Sequence, residues 1–117
     1  MTALTVTAPF HSISSDPTPV VDIPGAADFV HDYLHGQARR YLKAAEIAAR
    51  AKGVTCETIQ IEHDHPYAAI IEAAQVRSCD LIVMASHGRR GLSAIVLGSE
   101  TVKVLTHSKI PVLVHRA

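Results

Sequence analysis

Several things are scarce in this chain, and each scarcity excludes something. Two cysteines, Cys56 and Cys79, stand among 117 residues without a C-x-x-C spacing. A disulfide framework is therefore not expected, and both are read as buried, reduced thiols of a cytoplasmic protein. Neither sign of charge is in excess, since Lys+Arg and Asp+Glu number 11 each. That balance argues against a nucleic-acid partner, which needs a basic surface, and leaves only a local basic spot at Arg89 and Arg90. No apolar run is long enough to cross a bilayer, so no membrane partner is expected. The start lacks the basic segment and apolar core of a secretory signal. Two catalytic signatures are missing as well: G-x-S-x-G and the phosphate loop G-x-x-x-x-G-K-[ST].

What is present fits one soluble domain over residues 1–117, with 48% hydrophobic and 19% charged residues. Leu4 to Ala8 is β-branched enough for a short strand. The Pro- and Ser-rich stretch 9–25 reads as a long loop. From Ala26 to Lys52 the apolar residues Phe29, Val30, Tyr33, Leu34, Ala38, Tyr41, Leu42, Ala45 and Ala48 recur at helical spacing, and Gly53 supplies a stop. Gly36 falls inside that helix and weakens it. Val54 to Glu62 alternates like a strand. Pro66 opens a second helix, with Ile70, Ile71, Ala73, Ala74 and Val76 as its buried stripe. The apolar run within Asp80 to Ala85 predicts a strand covered on both faces. Ser99 is expected to cap a third helix reaching about Thr106, and Pro111 to His115 is the last strand. Strands that alternate with helices imply a mostly parallel sheet in an α/β fold.

The chemistry concentrates between Asp80 and Ser99, in DLIVMASHGRRGLSAIVLGS. Ser86, His87 and Gly88 follow a strand, and Gly98 and Ser99 open a helix. Unpaired backbone amides at such points, with glycine allowing close approach, suit a phosphate. Arg89 and Arg90 can add charge-assisted bonds. The plainer reading is that these glycines serve only turns and a helix start. Ser86 and His87 are not a catalytic pair, because adjacent side chains on an extended chain point apart.

The segment DLIVMASHGRRGLSAIVLGSETVKVLTHSKIPVLVHR closely resembles the C-terminal half of universal stress proteins. The ATP-binding branch of that family carries Gly-x2-Gly-x9-Gly-[Ser/Thr]. The matching positions here are Ala85, Gly88, Gly98 and Ser99, and nine residues, Arg89 to Leu97, keep the long spacing. HPYAAIIEAAQVRSCDLIVMAS and the opening ALTV also look like family segments. The resemblance implies a three-layer, flavodoxin-like fold of the adenine-nucleotide α-hydrolase type, shortened at its N-terminus. It implies a stress-response factor that binds ATP or AMP, with Mg²⁺ accompanying ATP, and has no strong catalysis. Gly88, Gly98 and Ser99 would hold phosphates, helped by Arg89 and Arg90. His87 would shape the loop or meet a phosphate. Val6, Met84 and Ala85 would line the rest of the site. The last strand, Val112–Val114, would form a homodimer along its free edge.

Two departures stand out. Ala85 puts a methyl where the family motif has glycine. The family's first strand with its acidic residue, and its first helix, have no counterpart in this chain. That strand is the central one of the sheet. Its absence implies that Leu4–Ala8 and Asp80–Ala85 pair directly, or that a partner chain fills the gap. An interaction module without nucleotide binding, and an adenylate-handling enzyme on the same fold, are the competing readings.

Histidines form two local pairs. His31 and His35 lie at i and i+4 on the first helix, as in the zinc helix H-E-x-x-H, but no third ligand is evident. They are read as part of a solvated helix face. His63-Asp64-His65 is read as a polar turn before Pro66, and no metal is expected at either place.

Overall fold

The computed structural model describes residues 1–7, 9, 26–86 and 97–116. The expected loop over 9–25 falls almost wholly outside them, as do His87, Gly88, Arg89 and Arg90. Strands and helices alternate along the chain: β1 (Thr2–Thr7), α1 (Ala26–Ala51), β2 (Glu57–Glu62), α2 (Pro66–Val76), β3 (Ile82–Ala85), α3 (Ser99–His107) and β4 (Val112–His115). These make two compact units, Met1–Asp64 and His65–Ala117. None of the described helices is long and apolar enough to cross a membrane.

In the first unit β1 and β2 pair in parallel, with Val6 opposite Ile61 and Thr7 opposite Glu62. Parallel neighbours need a crossover, and α1 provides it by packing against both strands. The helix buries Ala38, Leu42 and Ala49, a row spaced by four and seven residues. Only part of the expected stripe is covered: Phe29, Tyr33 and Tyr41 are exposed, as is Ala48. The apolar arc of α1 is wider than the face the two strands offer, so the aliphatic row of Ala38, Leu42 and Ala49 is buried and these aromatics remain outside it. Gly53 ends the helix at φ +74, with its amide on the Arg50 carbonyl at 2.9 Å and the Val54 amide on Ala49 at 2.9 Å. This paired closure uses the left-handed conformation that glycine tolerates. β2 begins at Glu57 rather than Val54, after this closure has consumed the intervening residues.

In the second unit β3 and β4 pair in parallel, with Val83 opposite Leu113 and Ala85 opposite His115. The core gathers Ala74, Ile82 and Val104, with Tyr67, Ile70, Cys79, Met84, Ile110 and Val112 packed around them. Val104 is wholly buried, a transfer worth about 2 kcal/mol. Burial in β3 alternates: Ile82 is buried and Val83 is 62% exposed. Among the described residues one face is covered rather than two, because strand side chains alternate and α2 and α3 pack against the face of Ile82 and Met84. Val76 is also exposed rather than part of the α2 stripe, at the last residue of that helix. Cys56 and Cys79 are free but half-buried, not fully buried.

The strands thus form two separate two-stranded parallel sheets, β1 with β2 and β3 with β4. Direct pairing of β1 with β3, one of the two arrangements anticipated above, is not how the described strands hydrogen-bond.

Candidate functional site

The glycine-rich segment is anchored at both ends. β3 finishes at Ala85, and the Ser86 amide donates to the His115 carbonyl at 2.8 Å, extending the ladder by one step. The Ser86 carbonyl then accepts from the Gly98 amide at 2.7 Å. Thr101, 2% exposed, donates from Oγ1 to the Ala85 carbonyl at 3.0 Å. Two consecutive carbonyls at the strand end are thereby tied to the start of α3. Residues 85 and 98, the first and third glycine positions of the expected motif, each take part in this clamp, Ala85 through Thr101 and Gly98 through Ser86.

The helix start itself differs from expectation. Gly98, not Ser99, is the N-cap, in extended backbone at φ −60 and ψ 150. No side-chain hydrogen bond caps the helix there. Glycine has no side chain with which to cap its helix, and the Ser99 hydroxyl in the first turn is exposed. Helix N-termini carry a partial positive charge, so the donors present fit a phosphate oxygen. Glu100 is turned to another use: its Oε2 accepts from the Tyr67 amide in the first turn of α2 at 2.9 Å.

Among the anticipated site residues, Ala85, Gly98 and Ser99 come together. Met84 is half-buried and packs on the core, so it supports the site from behind. Val6 stands in β1 of the first unit, half-buried opposite Ile61. His87, Gly88, Arg89 and Arg90 lie outside the described residues. Ser86 is 2% exposed, which makes its backbone structural and its hydroxyl a poor candidate for attacking a substrate. Sequence reasoning missed Thr101. The available signal was a small hydroxyl residue placed three positions after a helix-starting glycine.

Parallel strands alternating with helices, with a glycine-led helix clamped to a strand's carboxyl end, define an α/β protein of the kind that gathers ligands at the carboxyl ends of its strands. The comparisons make this particular. The model of the universal stress protein family matches residues 3–116, and the chain belongs to that family. Universal stress protein MJ0531 of Methanocaldococcus jannaschii is 34% identical over 101 residues, covering 85% of this chain and 59% of that protein. Universal stress protein YxiE of Bacillus subtilis is 34% identical over 89 residues, covering 76% of this chain and 60% of its own length. The chain thus spans less than two thirds of either relative. The solved structure of MJ0577, another M. jannaschii universal stress protein, superposes with a TM-score of 0.74 at 25% identity. That match covers 97% of this chain and 72% of MJ0577.

Proposed function

We propose that this universal stress protein binds an adenine nucleotide, ATP or AMP, and acts as a cytoplasmic stress-response factor without strong catalysis. The observation that carries the reading is the clamp from Ala85 and Ser86 to Gly98 and Thr101. It joins Ser86 to Gly98 at the two ends of the spaced glycine segment, and α3 starts from a residue that has no capping side chain of its own. Gly98 and Ser99 would take phosphate oxygens, with Gly88, His87, Arg89 and Arg90 completing that side. Met84 and Ala85 would belong to the ribose and adenine side. Mg²⁺ would accompany ATP and offset its charge. The active form would be a homodimer paired along Val112–Val114, whose strand has β3 as its one described neighbour.

Isothermal titration with ATP and AMP, each with and without Mg²⁺, tests the nucleotide reading. Saturable heat that is lost in Ser99→Ala supports it. No heat up to millimolar nucleotide sinks it. Light scattering tests the dimer.

A second reading, an interaction module that has lost nucleotide binding, is favoured by Ala85. Its methyl group occupies the first motif position beside the clamp. An adenylate-handling enzyme is the third reading, and steady turnover of ATP into identified products would establish it over the first two.

A further inference from the structure

The third ligand that the sequence did not reveal for the histidine pair is supplied by the neighbouring strand. His31 and His35 share a face of α1, one turn apart. β2 packs against that helix, and its residues Gln60 and Glu62 share one face of the strand. One ring nitrogen from each histidine and a carboxylate oxygen of Glu62 lie within 4.8 Å of one another. The imidazole centroids are 4.0 Å apart, with the planes tilted by 32°. We infer that His31, His35 and Glu62 form a binding site for a divalent transition metal of the zinc class, independent of the nucleotide reading.

Four features carry this. Two imidazoles and one carboxylate are a donor set that zinc accepts, with the fourth tetrahedral position left to water. The separations are near those required: metal–ligand bonds of about 2.1 Å place tetrahedral donors ~3.4 Å apart. Rotation of the exposed His31 and Glu62 side chains can close that difference without moving the backbone. Finally, a polar side chain stands beside Nδ1 of each ring. Gln60 Nε2 lies 2.7 Å from His35 Nδ1. A half-turn of the Gln60 amide, which exchanges its oxygen and nitrogen in place, lets Nδ1–H donate to the oxygen and leaves the Nε2 lone pair of His35 to the metal. On the other ring, the Asp32 carboxylate approaches His31 Nδ1 at 3.7 Å, longer than a hydrogen bond but on the side that leaves Nε2 free. Metal-bound histidines commonly have such a partner on the second nitrogen.

The bound ion would clip α1 to β2 within the first unit. It would thereby add stability in proportion to its occupancy.

Titration of the untagged full-length chain with Zn²⁺, and separately with Co²⁺ followed by its visible absorption, tests the site. The expected result is one ion per chain and a tetrahedral Co²⁺ spectrum. His31→Ala, His35→Ala and Glu62→Gln should each weaken Zn²⁺ by about 100-fold or more, and Gln60→Ala by about 10-fold. Circular dichroism confirms that each variant remains folded. A His63→Ala, His65→Ala double variant should bind as the parent does, which separates this site from the nearby turn histidines. Metal binding unchanged in His31→Ala and His35→Ala, binding lost only in the double variant, or no saturable binding below millimolar Zn²⁺ would each overturn the assignment.

Discussion

The Glu100 carboxylate accepts a hydrogen bond from the Tyr67 backbone amide at 2.9 Å. An acid in the first turn of α3 thus caps the start of α2, whose own N-cap, His65, makes no side-chain cap bond. Glu100→Ala should lower the unfolding free energy by about 1 kcal/mol. Glu100→Gln should lose less, because the amide oxygen still accepts while the charge near the helix start is gone. Lys103→Ala removes a half-exposed ion pair at 3.4 Å and the ammonium 5.7 Å from the Tyr67 ring centroid, and should cost less than Glu100→Ala. Urea unfolding monitored by circular dichroism ranks the three, and equal losses for Glu100→Ala and Lys103→Ala would contradict the capping role.

Thr101 tests the clamp. Thr101→Val keeps shape but leaves the Ala85 carbonyl without this donor, at a cost of about 1–3 kcal/mol. Thr101→Ser retains the hydroxyl and should recover most of that loss. The two variants are compared by thermal melting. If valine is as stable as threonine, the bond is not a stabilising part of the frame.

Two backbone positions should tolerate improvement. A Cβ added at Gly36 would meet nothing within 4 Å, and the site is helix interior. Gly36→Ala should therefore raise stability by about 1 kcal/mol. Ser78 holds φ 54 at the end of α2, with its amide on the Gln75 carbonyl at 3.1 Å. The Cys79 amide meets Ala74 at 2.8 Å, the same closure that Gly53 makes after α1. Ser78→Gly should gain about 1 kcal/mol, and Gly53→Ala should lose a similar amount. Differential scanning calorimetry reads all three, and a lower melting temperature for Ser78→Gly would show that its side chain outweighs the backbone term.

Nucleotide affinity should follow the motif. Ala85→Gly removes the methyl and should tighten ATP or AMP severalfold. Joint replacement of Arg89 and Arg90 by alanine should weaken them about 10-fold through lost charge-assisted bonds. Titration calorimetry on the same preparations decides, and an unchanged affinity in both would remove the segment from the site.

What the sequence made legible was local. The 3.6-residue period of α1, the glycine stop at Gly53 and the proline start of α2 all correspond to interactions within a few residues, and each element is present. The spacing of Ala85, Gly98 and Ser99 drew attention to the candidate site because a motif is itself a short-range record. Which arc of α1 would be covered depended on the width of the β1–β2 pair, so Phe29 and Tyr33 were assigned inward and lie outward. Glu100 with Tyr67, and Glu62 with the two histidines, join residues far apart in the chain. No period or spacing encodes such meetings, which arise only when separate elements pack.

The bond between Ser86 and Gly98, at 2.7 Å, has an evolutionary consequence. A segment whose two ends are already fastened enters the fold as a replaceable cassette. Changing its length alters chiefly the entropy of closing a loop, which grows only logarithmically, by about 0.6 kcal/mol per doubling. Replacement of the residues between Ser86 and Gly98 leaves in place both bonds that fasten β3 to α3, from Gly98 to Ser86 and from Thr101 to Ala85. Ligand preference and scaffold integrity can be inherited separately.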